Sequence, residues 1–196
     1  MLRDKISKYR LILASNSPRR QQLLKGIDVN FEVITKPEID ELVPENIYAQ
    51  DIAMFLAEHK AKSYNEFLNP LTIVITADTI VWFNNKVLNK PTNKDEAIRM
   101  LIELSDNMHI VYTGVCITTL KKQKTFYSET KVWFRNLSKS EIKYYVEKYK
   151  PYDKAGAYGA QEWLGYVAIE RIEGSYFNVM GLPVQKLYSE LEKFIK

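Results

Sequence analysis

The segment Leu11-Ile-Leu-Ala-Ser-Asn-Ser-Pro-Arg-Arg20 joins a short apolar run to a polar turn and the start of a helix. The apolar run 11–14 predicts a buried strand. Ser17 is a favourable N-cap and Pro18 fits the first helical position, so a helix is expected to follow as far as Lys25. A strand that turns directly into a helix is the building unit of α/β folds, so this segment indicates the fold class.

The rest of the chain continues this alternation and adds hairpins. Further helices are expected over 46–63, 93–104 and 138–149 and from Pro183, and further strands over 31–35, 71–77 and 166–172. Asn84-Asn85 suits a type I′ turn between 80–83 and 86–88, and a longer hairpin is expected for 110–119 with 125–135. We therefore predict an α/β fold with a mixed, twisted sheet and flanking helices.

Composition narrows the class of protein. The 196 residues, 46% of them hydrophobic and 27% charged, fit one folded domain over 1–196. One cysteine excludes an internal disulfide and fits a cytoplasmic protein, and with only two histidines any metal must be held by oxygen. The longest apolar run, 71–83, contains Asp78 and is too short for a bilayer. A net charge of +4 is mild, so neither membrane nor nucleic acid is an expected partner.

The first candidate site is the turn into the first predicted helix. Ser15 and Ser17 lie in the turn, and Arg19 and Arg20 begin the helix. The free N–H groups and the dipole of a helix N-terminus favour an anion, and arginine matches phosphate oxygens with two parallel donors. A capped surface helix with solvated arginines explains the same residues, so both interpretations stand at this point.

The second candidate is Asp78, which follows the apolar strand 71–77. Open α/β sheets commonly bind ligands at the carboxyl ends of strands, where a carboxylate can hold a divalent cation or take a proton from water. A turn aspartate is the alternative. Lys60 and Lys90 are further candidate cations for an anionic ligand, and Glu41, in an acidic cluster, is a candidate second metal ligand.

Several segments in order carry a resemblance. They are Leu13-Ala-Ser-Asn-Ser-Pro-Arg-Arg20, Pro37-Glu-Ile-Asp-Glu41, Ala57-Glu-His-Lys-Ala61, Ala77-Asp-Thr-Ile-Val81, Val87-Leu-Asn-Lys-Pro91, Thr113-Gly-Val115, Asp153-Lys-Ala-Gly-Ala-Tyr-Gly159 and Gly174-Ser-Tyr-Phe-Asn-Val-Met-Gly-Leu-Pro183. In this order and spacing the chain resembles the Maf family of nucleoside triphosphate pyrophosphatases, also called septum formation proteins. The resemblance runs from about Leu11 to Leu187.

The resemblance implies a fold related to the inosine triphosphatases, with two lobes around a nucleotide cleft and 1–196 as a single domain. It implies hydrolysis of a nucleoside triphosphate to a monophosphate and diphosphate, dependent on Mg²⁺ or Mn²⁺, and it makes a homodimer plausible. The pattern around Gln161 is similar to the branch that acts on dTTP and UTP. Glu162-Trp163 departs from the family's usual glycine after that glutamine.

The family's functional positions can be carried over one by one. Asp78 matches the catalytic aspartate, and Glu41 is a second metal ligand in this interpretation. The residues that match phosphate-binding positions are Arg20, Lys60 and Lys90, and Ser15 and Ser17 of the turn are further candidate phosphate ligands. The residues that match positions tied to substrate choice are Arg19, Thr79 and Gln161. Gly156, Gly159, Gly174 and Gly181 are expected to allow close backbone approach to the nucleotide.

Two other functions stay open. Within the enzyme class, the alternative is a pyrophosphatase for modified or purine nucleotides. Outside it, the arginine pair and the lysine-rich turn 121–124 also suit a non-catalytic nucleotide-binding regulator of cell division.

Overall fold

The computed structural model of this chain describes residues 1–37 and 43–195. The chain divides into two compact units, which agrees with the expected two lobes. The first unit comprises Met1–Asp78, Thr113–Ser128 and Gly181–Lys196, and the second comprises Thr79–Tyr112 and Glu129–Met180.

Helices and strands alternate from Leu2 to Phe83, and beyond Phe83 elements of the same kind also follow one another. The helices are α1 (Leu2–Ile6), α2 (Pro18–Lys25), α3 (Gln50–Lys62), α4 (Lys94–Leu104), α5 (Lys139–Tyr149), α6 (Trp163–Ala168), α7 (Tyr176–Val179) and α8 (Val184–Phe194). The strands are β1 (Arg10–Leu13), β2 (Glu32–Val33), β3 (Thr72–Phe83), β4 (Lys86–Leu88), β5 (Met108–Thr118), β6 (Gln123–Phe134) and β7 (Ile169–Glu173).

The seven strands of the described residues form one sheet in the order β2-β1-β3-β5-β6-β7, with β4 paired to β3. Strand β1 is parallel to both β2 and β3, whereas β3 pairs with β4 and β6 pairs with β7 in antiparallel fashion. The predicted α/β fold with a mixed sheet is confirmed. The long hairpin is confirmed as well, since β5 and β6 are neighbours joined by a short turn.

Local signals placed several element ends correctly. The hydroxyl of Ser17 accepts a hydrogen bond from the Arg20 backbone N–H and caps α2. Asn84 and Asn85 have φ angles of 49° and 60°, as a type I′ turn requires. Ser138 and Glu141 cap each other's backbone N–H groups at the start of α5.

Three expected elements differ from the structure. The strand expected over 166–172 begins only at Ile169, because the preceding residues form α6. Gly165 permits that helix, since a Cβ there would lie 1.8 Å from the Ala160 carbonyl oxygen. The helix expected from residue 46 starts at Gln50, after Ala49 takes a left-handed φ of 49°. Strand 31–35 is reduced to the two residues that pair with β1.

Each unit has its own apolar core. In the second unit, strands β3, β5 and β6 pack against α4, α5 and α6 through a large cluster that includes Leu101, Leu104, Tyr145 and Leu164. His109 is buried there, and its ring meets the rings of Phe134 and Tyr158 edge to face. Among the helices of residues 1–37 and 43–195, none is long and apolar enough to cross a membrane.

Candidate active site

The structure brings two of the proposed site residues of the first unit into direct contact. The Nζ of Lys60, near the end of α3, donates a hydrogen bond to Oδ1 of Asp78 on β3. The Asp78 side chain is 13% exposed and that of Lys60 is 26% exposed, so the pair is partly shielded from water. At such a position an ammonium and a carboxylate interact more strongly than on an open surface.

Strand alternation explains why these two side chains meet. Thr76 and Asp78 are two residues apart on β3 and therefore point to the same face of the sheet. The hydroxyl of Thr76 donates 2.6 Å to the carbonyl oxygen of Ala57 on α3. Lys60 lies one helical turn beyond Ala57, so it comes level with Asp78.

Small residues let helix α3 approach the sheet closely. Ala57, Ala61 and Cys116 form a buried cluster, and Ala53 is fully buried one turn earlier on the helix. A Cβ on Gly114 of β5 would lie only 2.1 Å from the Ala53 carbonyl oxygen. The backbones of α3 and β5 therefore touch, and this contact determines how far Lys60 stands from the sheet. Buried Cys116 packs here, as expected.

Asp78 is not at the end of its strand, which corrects an expectation. Strand β3 continues without interruption from Thr72 to Phe83. The neighbouring strand β1 is much shorter, and its last paired residue, Leu13, lies opposite Ile75. Asp78 is three residues beyond that pair, so it borders the place where the chain leaves β1 toward α2. The parallel part of the sheet thus ends near Asp78, although the strand does not.

The turn from β1 to α2 is internally hydrogen-bonded. The hydroxyl of Ser15 accepts from the backbone N–H of Ser17 at 3.2 Å, and the carbonyl oxygen of Ser15 accepts from the Gln21 amide at 3.2 Å. Arg20 donates through Nε to the carbonyl oxygen of Gly181 at 2.7 Å. Arg19 and Arg20 are both half-buried. The role of the Gly181 carbonyl as an acceptor for Arg20 had no signal in the sequence, because any residue supplies a backbone oxygen.

The remaining described candidates belong to the second unit. Lys90 is exposed in the segment between β4 and α4, and Gln161 lies in the turn before α6. Thr79 directly follows Asp78 on β3, so its side chain points to the opposite face of the strand. Glu41, the candidate second metal ligand, lies outside the described residues.

Among the described candidate residues, Asp78 is the one that could serve as a carboxylate ligand of a divalent cation. No group of three or more His, Cys, Asp or Glu side chains that could hold a metal occurs in residues 1–37 and 43–195. Asp78 still offers a carboxylate oxygen, a ligand that Mg²⁺ prefers. Mg²⁺ is commonly bound through one or two carboxylates together with substrate phosphates, which is the arrangement these residues allow.

Two of the expected pocket glycines pack closely against neighbouring residues. A Cβ on Gly156 would lie 3.0 Å from the side chain of Val81, and one on Gly174 would lie 2.8 Å from the Glu129 carbonyl oxygen. Both residues also have a left-handed φ, 66° and 124°. The space on the Cβ side of each is therefore filled by protein, and the close approach of a nucleotide to these backbones stays a prediction.

Comparison of folds finds a similar architecture in a solved structure. The structure resembles a HAM1 protein from Coxiella burnetii with a TM-score of 0.53, covering 94% of this chain and 99% of that one. Sequence identity is 14%, so this likeness concerns the fold.

Sequence comparison places the chain in a family. The family described as Maf-like protein matches residues 10–194, and this chain belongs to it. The chain is 50% identical over 190 residues to a protein of Phocaeicola vulgatus named dTTP/UTP pyrophosphatase, covering 97% of this chain and 98% of that protein. A Parabacteroides distasonis protein of the same name is 51% identical over 191 residues, covering 97% and 99%. The Maf resemblance carried by the motifs is thereby confirmed.

Proposed function

We propose that this chain hydrolyses nucleoside triphosphates, with dTTP and UTP as preferred substrates, to the nucleoside monophosphate and diphosphate. The observation that carries the proposal is the contact between Lys60 and Asp78 in a chain of the Maf-like family. The names of the relatives in Phocaeicola vulgatus and Parabacteroides distasonis support this choice of substrates.

Asp78 is the proposed general base. Its carboxylate accepts a proton from the attacking water while the water oxygen bonds to the α-phosphorus. The bond from the α-phosphorus to the oxygen that bridges the α- and β-phosphates breaks, and its electron pair leaves with the diphosphate. The ammonium of Lys60 holds the Asp78 carboxylate in a defined orientation.

Cations and backbone dipoles of the first unit are proposed to bind the phosphates. Arg20 lies in the first turn of α2, and its bond to the Gly181 carbonyl oxygen engages Nε and orients the guanidinium group. The N-terminus of α2 adds positive potential. Ser15 and Ser17 stabilise the turn that presents these groups, and Lys90 of the second unit is a further proposed phosphate ligand. Such fixed positive groups stabilise the charge that develops as the anhydride bond breaks.

Asp78 is the described residue that would hold the divalent cation, and we propose Glu41 as a second ligand. A bound Mg²⁺ or Mn²⁺ would neutralise phosphate charge and polarise the attacked phosphoryl group.

Gln161, with Arg19 and Thr79, is proposed to select the base. The amide oxygen of Gln161 is buried and has no hydrogen-bond partner within the described part of the chain. An acceptor withdrawn from water in this way costs about 1–3 kcal/mol. The N–H of uracil or thymine would satisfy it. An amide can both donate and accept, so it suits the mixed edge of these bases.

The test is diphosphate release from a panel of nucleotides at equal concentration, with Mg²⁺ or Mn²⁺ and with a chelator. We expect faster release from dTTP and UTP than from dATP, dGTP or 7-methyl-GTP, and loss of release with the chelator. Faster release from a purine or modified nucleotide would favour the alternative enzyme, a pyrophosphatase for modified or purine nucleotides. Nucleotide binding without diphosphate release would favour the non-catalytic regulator. Light scattering would check the homodimer that the family resemblance implies.

A further inference from the structure

A buried tyrosine connects both ends of the turn that carries Gln161. Tyr145 of α5 is 0% exposed. Its hydroxyl accepts a hydrogen bond from the backbone N–H of Gly159 at 3.1 Å and donates one to Oε2 of Glu162. Burial and the Glu162 carboxylate both raise the pKa of this hydroxyl well above its ordinary value, so it remains a donor at any physiological pH.

A lysine completes this arrangement. The Nζ of Lys154 lies 3.0 Å from Oε1 of Glu162 and 2.7 Å from Oδ1 of Asp153. Lys154 is only 8% exposed, although it carries a charge. Each oxygen of the Glu162 carboxylate therefore has a partner, one neutral and one cationic. We call Tyr145, Lys154 and Glu162 the turn clamp.

The clamp encloses a tight turn. The backbone N–H of Glu162 donates to the carbonyl oxygen of Gly159 at 3.0 Å, which closes the turn 159–162. Gln161 lies within it, and its Nε2 would be 3.0 Å from a Cβ on Gly159. The amide of Gln161 thus packs over a residue whose own backbone N–H is bonded to Tyr145. A shift of the turn moves the amide with it.

We infer that the turn clamp sets the position of the Gln161 amide and thereby the discrimination between pyrimidine and purine nucleotides, with Tyr145 and Glu162 as positioning residues. The inference rests on the proposed function, in which Gln161 meets the base. If the turn clamp were purely structural, breaking it would lower stability without changing the preference for pyrimidine over purine nucleotides. A positioning role predicts a change in preference, because a hydrogen bond between amide and base depends steeply on distance and angle.

The experiment measures the affinities of non-hydrolysable α,β-methylene analogues of dTTP and dATP, together with diphosphate release from dTTP. Tyr145→Phe removes the hydroxyl and keeps the ring, Glu162→Ala removes the carboxylate, and Gln161→Ala removes the amide itself. For each, we expect the ratio of dTTP-analogue to dATP-analogue affinity to fall about three- to tenfold, which is what one hydrogen bond contributes. Glu162→Gln keeps an acceptor for Tyr145 and should recover part of the ratio.

Tyr149→Phe is the matched control, since this tyrosine lies on the same helix and its ring stacks on that of Tyr145. It should leave the ratio at the wild-type value. The inference is overturned if Gln161→Ala lowers the ratio and Tyr145→Phe and Glu162→Ala do not. The affinities are measured without turnover, so a failure of the proposed hydrolysis is seen separately. In that case the wild-type chain would keep its ratio of analogue affinities but release no diphosphate from dTTP.

Discussion

The contact between α3 and β5 makes a sharp prediction for Gly114→Ala. The added Cβ would lie 2.1 Å from the oxygen and 2.3 Å from the carbonyl carbon of Ala53, where ordinary contact begins at 3.4 Å. Both neighbours are backbone atoms, so no side chain can rotate away. The helix must retreat from the strand by about an ångström, and Lys60 moves with it relative to Asp78.

The expected size of the effect follows from this displacement. Overpacking a close contact costs about 1–3 kcal/mol, and a loss of about 2 kcal/mol corresponds to a fall of about 4–8 °C in Tm for a chain of this size. A displacement of about 1 Å in a catalytic group can lower turnover about 10²-fold. We therefore expect a less stable and much slower enzyme, although no atom of residue 114 belongs to the site.

The assay is thermal unfolding together with diphosphate release from dTTP, with Gly26→Ala as the matched control. Gly26 follows α2 with a φ of −67°, and a Cβ there would lie 3.3 Å from the Leu23 carbonyl oxygen. Alanine at this position should change stability by less than about 1 kcal/mol. Wild-type stability and turnover in Gly114→Ala would refute the close packing of α3 on β5 and the explanation it gives for the position of Lys60.

Two further predictions concern charge. Burial lowers the pKa of His109 from 6.5 to about 3, so between these values the unfolded chain binds a proton that the folded chain does not. Stability should therefore fall as the pH drops from 6.5 toward 3. Urea unfolding at pH 7 and pH 5 measures this effect. The free energy of unfolding should fall less between these pH values in His109→Gln than in the wild type, and an equal fall would contradict this account. Lys60→Met should lower kcat/KM for dTTP about 10²-fold and affect kcat as well as KM, because in the proposed mechanism Lys60 both orients the base and binds phosphate. If only KM changed, Lys60 would bind phosphate without orienting the base.

Local patterns predicted much of the fold because they depend on neighbours in the chain. The Ser17-Pro18 cap, the Asn84-Asn85 turn and the Ser138–Glu141 box each act within a few residues, and each is present. The strand expected over 166–172 begins late because of a backbone contact that hydrophobic periodicity does not register. Gly165 fits against the Ala160 carbonyl and lets the first residues of that segment form a helix, which an apolar pattern does not reveal.

Sequence reasoning predicted which residues belong to the candidate site but not which of them contact each other. Asp78 and Lys60 were separate candidates, and only packing between α3 and β3 joins them. A signal for that packing was available, since Ala53, Ala57 and Ala61 recur at intervals of four residues and mark a helix face that can approach a sheet closely. The turn clamp had no such signal, because Tyr145 and Glu162 are distant in sequence and each is an unremarkable residue type.

The central claim is that Asp78 serves as the base in hydrolysis at the α-phosphorus. The most direct test compares diphosphate release from dTTP and UTP by the wild-type chain and by Asp78→Asn, which preserves size and removes the proton acceptor. We predict release by the wild type and a loss of at least about 10²-fold in the variant, with folding intact by circular dichroism. Full turnover in Asp78→Asn would contradict the account.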